Sequence, residues 1–180
     1  MYGMVNNALQ DLVTRRLGEG AWLRLAAAAG IEDGLFISLE SYPDEVTYVL
    51  VGGAAEALEL PVEAFLKEFG RHWISYAMQT AYAPLLRAPR SLSEALGSLD
   101  DMHKRIQRTL PKLNAPSFRF FPSPTGGRLR YLSSRTGLAP FVIGLLHGLG
   151  ELHGTEVTIK HTKPRAPDTD FDEFELTFQR

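Results

Sequence analysis

A histidine stands where an apolar residue belongs. The segment Ser91 to Leu110 places Leu92, Leu96, Leu99, Ile106 and Leu110 on one face of a predicted helix. His103 fills the gap in that stripe, four residues after Leu99 and three before Ile106. Two chemistries account for it. One is a core histidine hydrogen-bonded to a carbonyl or carboxylate, with Asp100 one turn earlier as a partner. The other is an axial ligand to a metallocofactor, because neutral imidazole is the usual metal-binding side chain in a dry site. Further along, Tyr131, Ser133 and Arg135 have the i, i+2, i+4 spacing that projects two hydroxyls and a guanidinium from one side of a strand. Arginine captures carboxylates bidentately and hydroxyls add neutral donors. The triplet reads either as a site for an anionic group or as an exposed strand face ending in a turn.

Composition narrows the choices. The chain of 180 residues has room for a sizeable core, as one large domain or two small ones. Hydrophobic residues at 44%, charged residues at 22% and a net charge of −2 describe an ordinary globular protein and give no argument for nucleic acid or an anionic membrane. Cysteine is absent, which excludes disulfides, thiolate chemistry, iron–sulfur clusters, Cys-ligated zinc and covalently attached c-type haem. None of His72, His103, His147, His153 and His161 forms an HxxxH or HxH pair, so a multi-histidine metal site is unsupported. No apolar run approaches the ~20 residues of a membrane span. The N-terminal residues lack the basic region and apolar core of a signal peptide, which makes the cytoplasm the expected location. The chain ends at Arg180 without a nucleophile–base arrangement or a nucleotide loop, so the expectation is a binding or sensing domain rather than an enzyme.

The elements that must position these residues follow from periodicity. Helices are predicted over Tyr2 to Leu17, from Trp22 to Gly30, from Pro43-Asp44 to about Leu58, and from Pro61 toward Tyr82. Pro84 and Pro89 mark a loop before the His103 helix. From Pro111 the character changes: Pro111, Pro116, Pro122 and Pro124 break helices. Strands are predicted over Ser117 to Phe121, Arg128 to Arg135, Thr155 to His161 and Phe171 to Phe178. Thr125-Gly126-Gly127 makes a hairpin turn, and an apolar helix spans Leu138 to Leu152. The fold class is α+β: a helical N-terminal half, then a four-stranded antiparallel sheet with a crossing helix.

An inward histidine, a carboxylate-reading strand and abundant apolar helices are together what a haem requires. One imidazole binds the iron, an apolar slot covers the porphyrin, and polar groups hold its propionates. The chain resembles the haem–nitric oxide/oxygen-binding (H-NOX) domain, which is also the haem domain of the soluble guanylate cyclase beta subunit. The segments that carry the resemblance are Met1-Tyr2-Gly3-Met4-Val5-Asn6, Leu99-Asp100-Asp101-Met102-His103, Ala115-Pro116-Ser117-Phe118, Tyr131-Leu132-Ser133-Ser134-Arg135 and Gly137-Leu138-Ala139-Pro140.

The resemblance implies a single domain over 1–180, with a helical distal subdomain (1–60) and a proximal subdomain containing the sheet (61–180), and haem b between the halves. It makes His103 the proximal iron ligand and Tyr131, Ser133 and Arg135 the propionate motif. Pro116 matches the proline that presses on the haem, and Met4, Val5, Trp73 and Phe141 are the candidates for the distal lining. Oxygen-binding relatives place a tyrosine on the helix after the YxSxR motif, and here Pro140 holds the matching position. That favours nitric oxide and carbon monoxide over dioxygen, with Trp73 as the one alternative donor. A separate histidine kinase, cyclic-dinucleotide enzyme or cyclase is the implied effector. Two other readings stay open: an oxygen-binding or storage haem protein, and a metal-dependent enzyme built on Asp100, Asp101 and His103.

Overall fold

The structure is a computed structural model describing residues 1–110 and 112–179. The break read at Pro111 and the end of the chain at Arg180 lie outside the described residues.

Four helices build the N-terminal half. They are α1 (Gly3–Leu17), α2 (Glu19–Ala28), α3 (Asp44–Ala57) and α4 (Val62–Ala77). Pro43 and Pro61 precede α3 and α4 in an extended conformation that starts each helix without requiring an N–H. Asp44 and Glu45 then place carboxylates at the positive end of α3. Leu9 and Val13 of α1, Trp22 of α2, Leu50 of α3, and Phe65 and Phe69 of α4 close one apolar core.

α4 does not stop in that core. Its last turns contribute Ile74 and Ala77 to a second cluster, shared with α6 (Leu92–Thr109), α7 (Ala139–Leu152) and the sheet. Between α4 and α6 the chain forms a short helix, α5 (Ala83–Arg87), where two prolines suggested only a loop. Pro84 is tolerated because its missing N–H falls within the first helical turn.

The sheet contains β1 (Ser117–Ser123), β2 (Gly126–Leu132), β3 (Glu156–Lys163) and β4 (Phe171–Gln179), in the order β1-β2-β4-β3 and antiparallel throughout. Pro122 is accommodated because β1 is an edge strand. The hairpin turn falls at Pro124–Thr125, so both glycines already belong to β2. Phe118, Leu129, Val157, Phe174 and Leu176 point from one sheet face into the second core.

α6 begins as its sequence signals predict. Ser91 Oγ accepts from the Glu94 N–H at 3.2 Å. The Glu94 carboxylate accepts from the Arg90 N–H at 2.9 Å, one residue upstream of the group a capping box would use. Leu92, Ala95, Leu96 and Leu99 are buried, whereas His103, Ile106 and Leu110 further along the stripe are only half-buried.

α4 and α7 cross with their backbones nearly touching. A Cβ placed on Gly70 would lie 2.1 Å from the Phe141 carbonyl oxygen, and one on Gly144 would lie 2.0 Å from the Lys67 carbonyl oxygen. These two positions admit glycine because the opposing backbone occupies the space of a side chain.

Candidate functional site

The half-buried end of the α6 stripe faces a cavity of about 660 Å³ between the two cores. Met4 and Val5 of α1, Val51 of α3, and Leu66, Phe69 and Trp73 of α4 line one side. Leu138 and then Phe141, Val142 and Leu145 of α7 continue that wall. His103, Ile106 and Leu110 of α6, with Pro116 and Phe118, form the other. Tyr131 and Arg135 complete the lining near Tyr48 and Asn114.

His103 is the one histidine among these lining residues. Its Nδ1 is sealed from solvent with no hydrogen-bond partner. Burial pushes the imidazole pKa down, against the opposing pull of the Asp100 charge, so the neutral form is favoured. Asp100 is not the hydrogen-bond partner of His103. Its Oδ1 accepts from the Phe118 N–H at 3.3 Å and its Oδ2 pairs with Lys104 Nζ at 2.9 Å, which ties α6 to β1. Asp100, Asp101 and His103 do not converge on a metal position; among the described residues no group of three or more metal-ligating side chains does.

The His103 ring stacks on Phe118 with centroids 5.6 Å apart, and Phe118 packs on Tyr131 at 5.3 Å. Tyr131 is buried at the end of β2, and burial raises its phenol pKa; the Ser133 hydroxyl and the Arg135 charge pull the other way.

The strand does not carry the rest of the triplet. β2 ends at Leu132, and residues 133–136 bend away. Ser133 Oγ accepts the Arg135 N–H at 3.1 Å, a local bond that competes with strand pairing. Arg135 reaches the cavity from this bend, whereas Ser133 is not among the lining residues. The guanidinium is already engaged on two edges. Nε donates to Asp44 Oδ2 at 2.8 Å and Nη1 donates to the Asn114 carbonyl at 2.7 Å. Asn114 Nδ2 adds a bond of 2.7 Å to Ser134 Oγ, fastening the segment before Pro116 to the bend.

Asp44, Asn114 and Tyr48 escaped the reading of the sequence as site residues. Asp44 was visible only as a helix start, and nothing local marks its approach to Arg135. Burial would raise the Asp44 pKa, but hydrogen bonds from the Met1 ammonium and Arg135 outweigh it and hold the carboxyl below its ordinary 3.8. Such a depressed pKa contributes stability that is present above 3.8 and lost as pH falls through the folded-state value. Asp44→Asn is therefore expected to lower the urea midpoint at about pH 7, with the gap to the parent narrowing as pH falls below 3.8; a gap that stays constant through that range would contradict the coupling.

Pro140 sits in the first turn of α7 and does not line the cavity; Leu138 and Phe141 beside it do. The sequence-predicted residues His103, Pro116, Tyr131, Arg135, Met4, Val5, Trp73 and Phe141 are thus brought together around one space.

With the geometry in place, comparisons with known proteins identify the family. The Haem-NO-binding family model matches residues 2–161. Soluble guanylate cyclase gcy-35 of Caenorhabditis elegans is 32% identical over 166 residues, covering 89% of this chain and 24% of that protein. Soluble guanylate cyclase 89Da of Drosophila melanogaster is 28% identical over 164 residues, covering 87% and 24%. The chain spans about a quarter of the length of these curated relatives. Among solved structures, an H-NOX protein from S. oneidensis in the Fe(II)NO ligation state superposes with a TM-score of 0.91 at 21% identity, with both chains covered completely. An oxygen-binding H-NOX domain related to soluble guanylate cyclases gives 0.84 at 18% identity, covering 100% of this chain and 96% of that one. The fold is thereby the H-NOX fold, and the chain belongs to the Haem-NO-binding family.

Proposed function

We propose that this domain is a haem-based sensor of nitric oxide and carbon monoxide, with ferrous haem b in the cavity between the cores. The observation that carries this reading is the single histidine on an apolar cavity wall, held neutral and without a partner on Nδ1. The residues present fit the group. The cavity lies within the ~300–1,000 Å³ range of ligand pockets, its walls are mainly aliphatic and aromatic, and Arg135 brings a cation to its edge. When bound, haem would supply an iron able to bind a diatomic gas.

The protein's part is to hold, orient and respond. His103 would supply the nitrogen that holds the iron. Tyr131 and Arg135 take the haem carboxylates, and Ser133 shapes the bend from which Arg135 reaches. Pro116 presses from the proximal side. Residues 1–60 serve as the distal part and 61–180 as the proximal part. The cavity wall of Met4, Val5, Leu66, Phe69 and Phe141 offers no hydroxyl, which supports nitric oxide and carbon monoxide; Trp73 and the hydroxyls of Tyr2, Ser38 and Tyr82, which also line the cavity, are the donors that a dioxygen reading would use.

α6 is held to β1 through Asp100 on the Phe118 N–H, and His103 would add a second tether through the haem when it is bound. Loss of the His103 tether leaves the Asp100 contact as a pivot, so the helix shifts against β1 and signals to a separate effector. A histidine kinase, a cyclic-dinucleotide enzyme or a cyclase fits that role, and likeness to guanylate cyclases supports the last. Among the described residues no helix is long and apolar enough to cross a membrane.

The test is spectroscopic. Haem reconstitution of the purified chain is expected to give an intense Soret band, and nitric oxide is expected to detach His103. A nitric oxide adduct that keeps His103 attached would overturn the release, and stable retention of dioxygen in air would favour the storage reading.

A further inference from the structure

The bend that presents Arg135 has no strand partner. The β2 ladder ends with Leu132, paired to Ser117 on one side and to Phe171 on the other. The next carbonyls are met from outside by the β3–β4 loop. Arg165 Nη1 donates to the Ser133 carbonyl oxygen and, at 3.5 Å, to the Arg135 carbonyl oxygen. Among the described residues no other side chain donates to either carbonyl.

Arg165 is itself seated on the sheet. Its backbone N–H donates to Asp172 Oδ1 at 3.1 Å, and the same oxygen lies 2.8 Å from His161 Nε2. The His161 ring stacks at 4.8 Å on Phe174, which is fully buried. An open cleft of about 680 Å³ lies between the loop and Thr136, Gly137 and the start of α7, so Arg165 spans a gap rather than lying on a packed surface. A charged donor on a neutral carbonyl is worth more than a neutral pair, and here it holds the outer side of a bend whose inner side is fastened by Asp44, Asn114 and Tyr48.

We infer that Arg165 is a positioning residue of the haem-carboxylate site: it clamps the 133–136 bend from the solvent side and so keeps the Arg135 guanidinium on the cavity wall. This inference rests on the proposed role of Arg135 toward the haem carboxylates. It assigns work to the β3–β4 loop, which contributes no residue to the cavity lining.

The experiment measures haem transfer from the reconstituted full chain to excess apomyoglobin, followed by absorption, for the parent, Arg165→Ala, Arg165→Lys, Arg135→Ala and the Arg165→Ala/Arg135→Ala pair. Arg165→Ala is expected to speed haem loss about three- to tenfold, and Arg135→Ala more. Arg165→Lys, which keeps a cationic donor, is expected to stay within about twofold of the parent. The double variant is expected to match Arg135→Ala alone, because Arg165 acts through Arg135. A parental rate in Arg165→Ala beside a fast Arg135→Ala would overturn the inference while leaving the carboxylate site standing. So would a double variant in which the two effects multiply. A parental rate in Arg135→Ala would instead remove the carboxylate reading itself, and the clamp with it.

Discussion

Replacing His103 with glycine is expected to abolish axial ligation while leaving the fold intact. The imidazole lines the cavity instead of filling the core, and its Nδ1 makes no hydrogen bond that the fold would lose. None of His72, His147, His153 and His161 lines the cavity, so no second imidazole is in place to substitute. The glycine variant reconstituted with haem should lose it at least about tenfold faster, the equivalent of ~1.4 kcal/mol, and show a displaced or weakened Soret band. Adding free imidazole should restore the parental spectrum by occupying the vacated space. Far-ultraviolet circular dichroism of the apo form checks that helix content persists; glycine inside a helix costs about 1 kcal/mol, too little to unfold a domain of this size. An unchanged Soret band in the variant would place the ligand elsewhere.

Gly144→Ala is expected to be strongly destabilising. The added carbon would sit 2.0 Å from the Lys67 carbonyl oxygen and 2.9 Å from the Arg71 nitrogen. Backbone cannot rotate away as a side chain tip can, so α7 must move off α4. Overpacked cores typically lose 1–3 kcal/mol, and a rigid clash of this kind belongs at about 3 kcal/mol or above. For a chain of this length that corresponds to a fall in Tm of ~6–12 °C. Gly97→Ala supplies the contrast. Gly97 lies within α6, and a Cβ added there would meet nothing inside 4 Å, so alanine should add about 0.5–1 kcal/mol through helix propensity. Thermal melts of the two apo variants should move in opposite directions; a neutral Gly144→Ala would show that α4 and α7 do not approach so closely.

How much of this was legible beforehand depended on range. The α6 stripe was readable because its signals are local: Ser91 and Glu94 mark the start, and the leucine spacing sets the face. That His103 faces a cavity and not solid core was beyond periodicity, which assigns a face and not what lies opposite. Tyr131, Ser133 and Arg135 were the right residue types to single out for an anionic group, but their assumed strand geometry fails after Leu132. Ser133 Oγ takes the Arg135 N–H, a side-chain bond that pattern alone does not reveal. The partners of Arg135 were invisible for a different reason. Asp44 lies 91 residues away and Asn114 21, so only the folded chain brings them together. α5 was missed because two prolines within a few residues outweigh the weak helical signal of so short a segment. The glycines at the α4–α7 crossing carry no signal of their role along the sequence: helix propensity alone makes them weakening residues, whereas in the fold they permit the contact.

The row of rings from His103 through Phe118 to Tyr131 has a thermodynamic consequence. An imidazole that leaves its place uncovers one face of Phe118, and aromatic pairs of this kind are worth ~0.5–1.5 kcal/mol beyond area burial. That amount is added to whatever the iron bond contributes in favour of the attached arrangement. On the proposed sensor mechanism it would therefore bias the resting equilibrium about two- to twelvefold toward the attached arrangement. By the same mechanism the identity of residue 118 would help set the threshold at which α6 lets go, because Phe118 both stacks on the imidazole and lines the cavity.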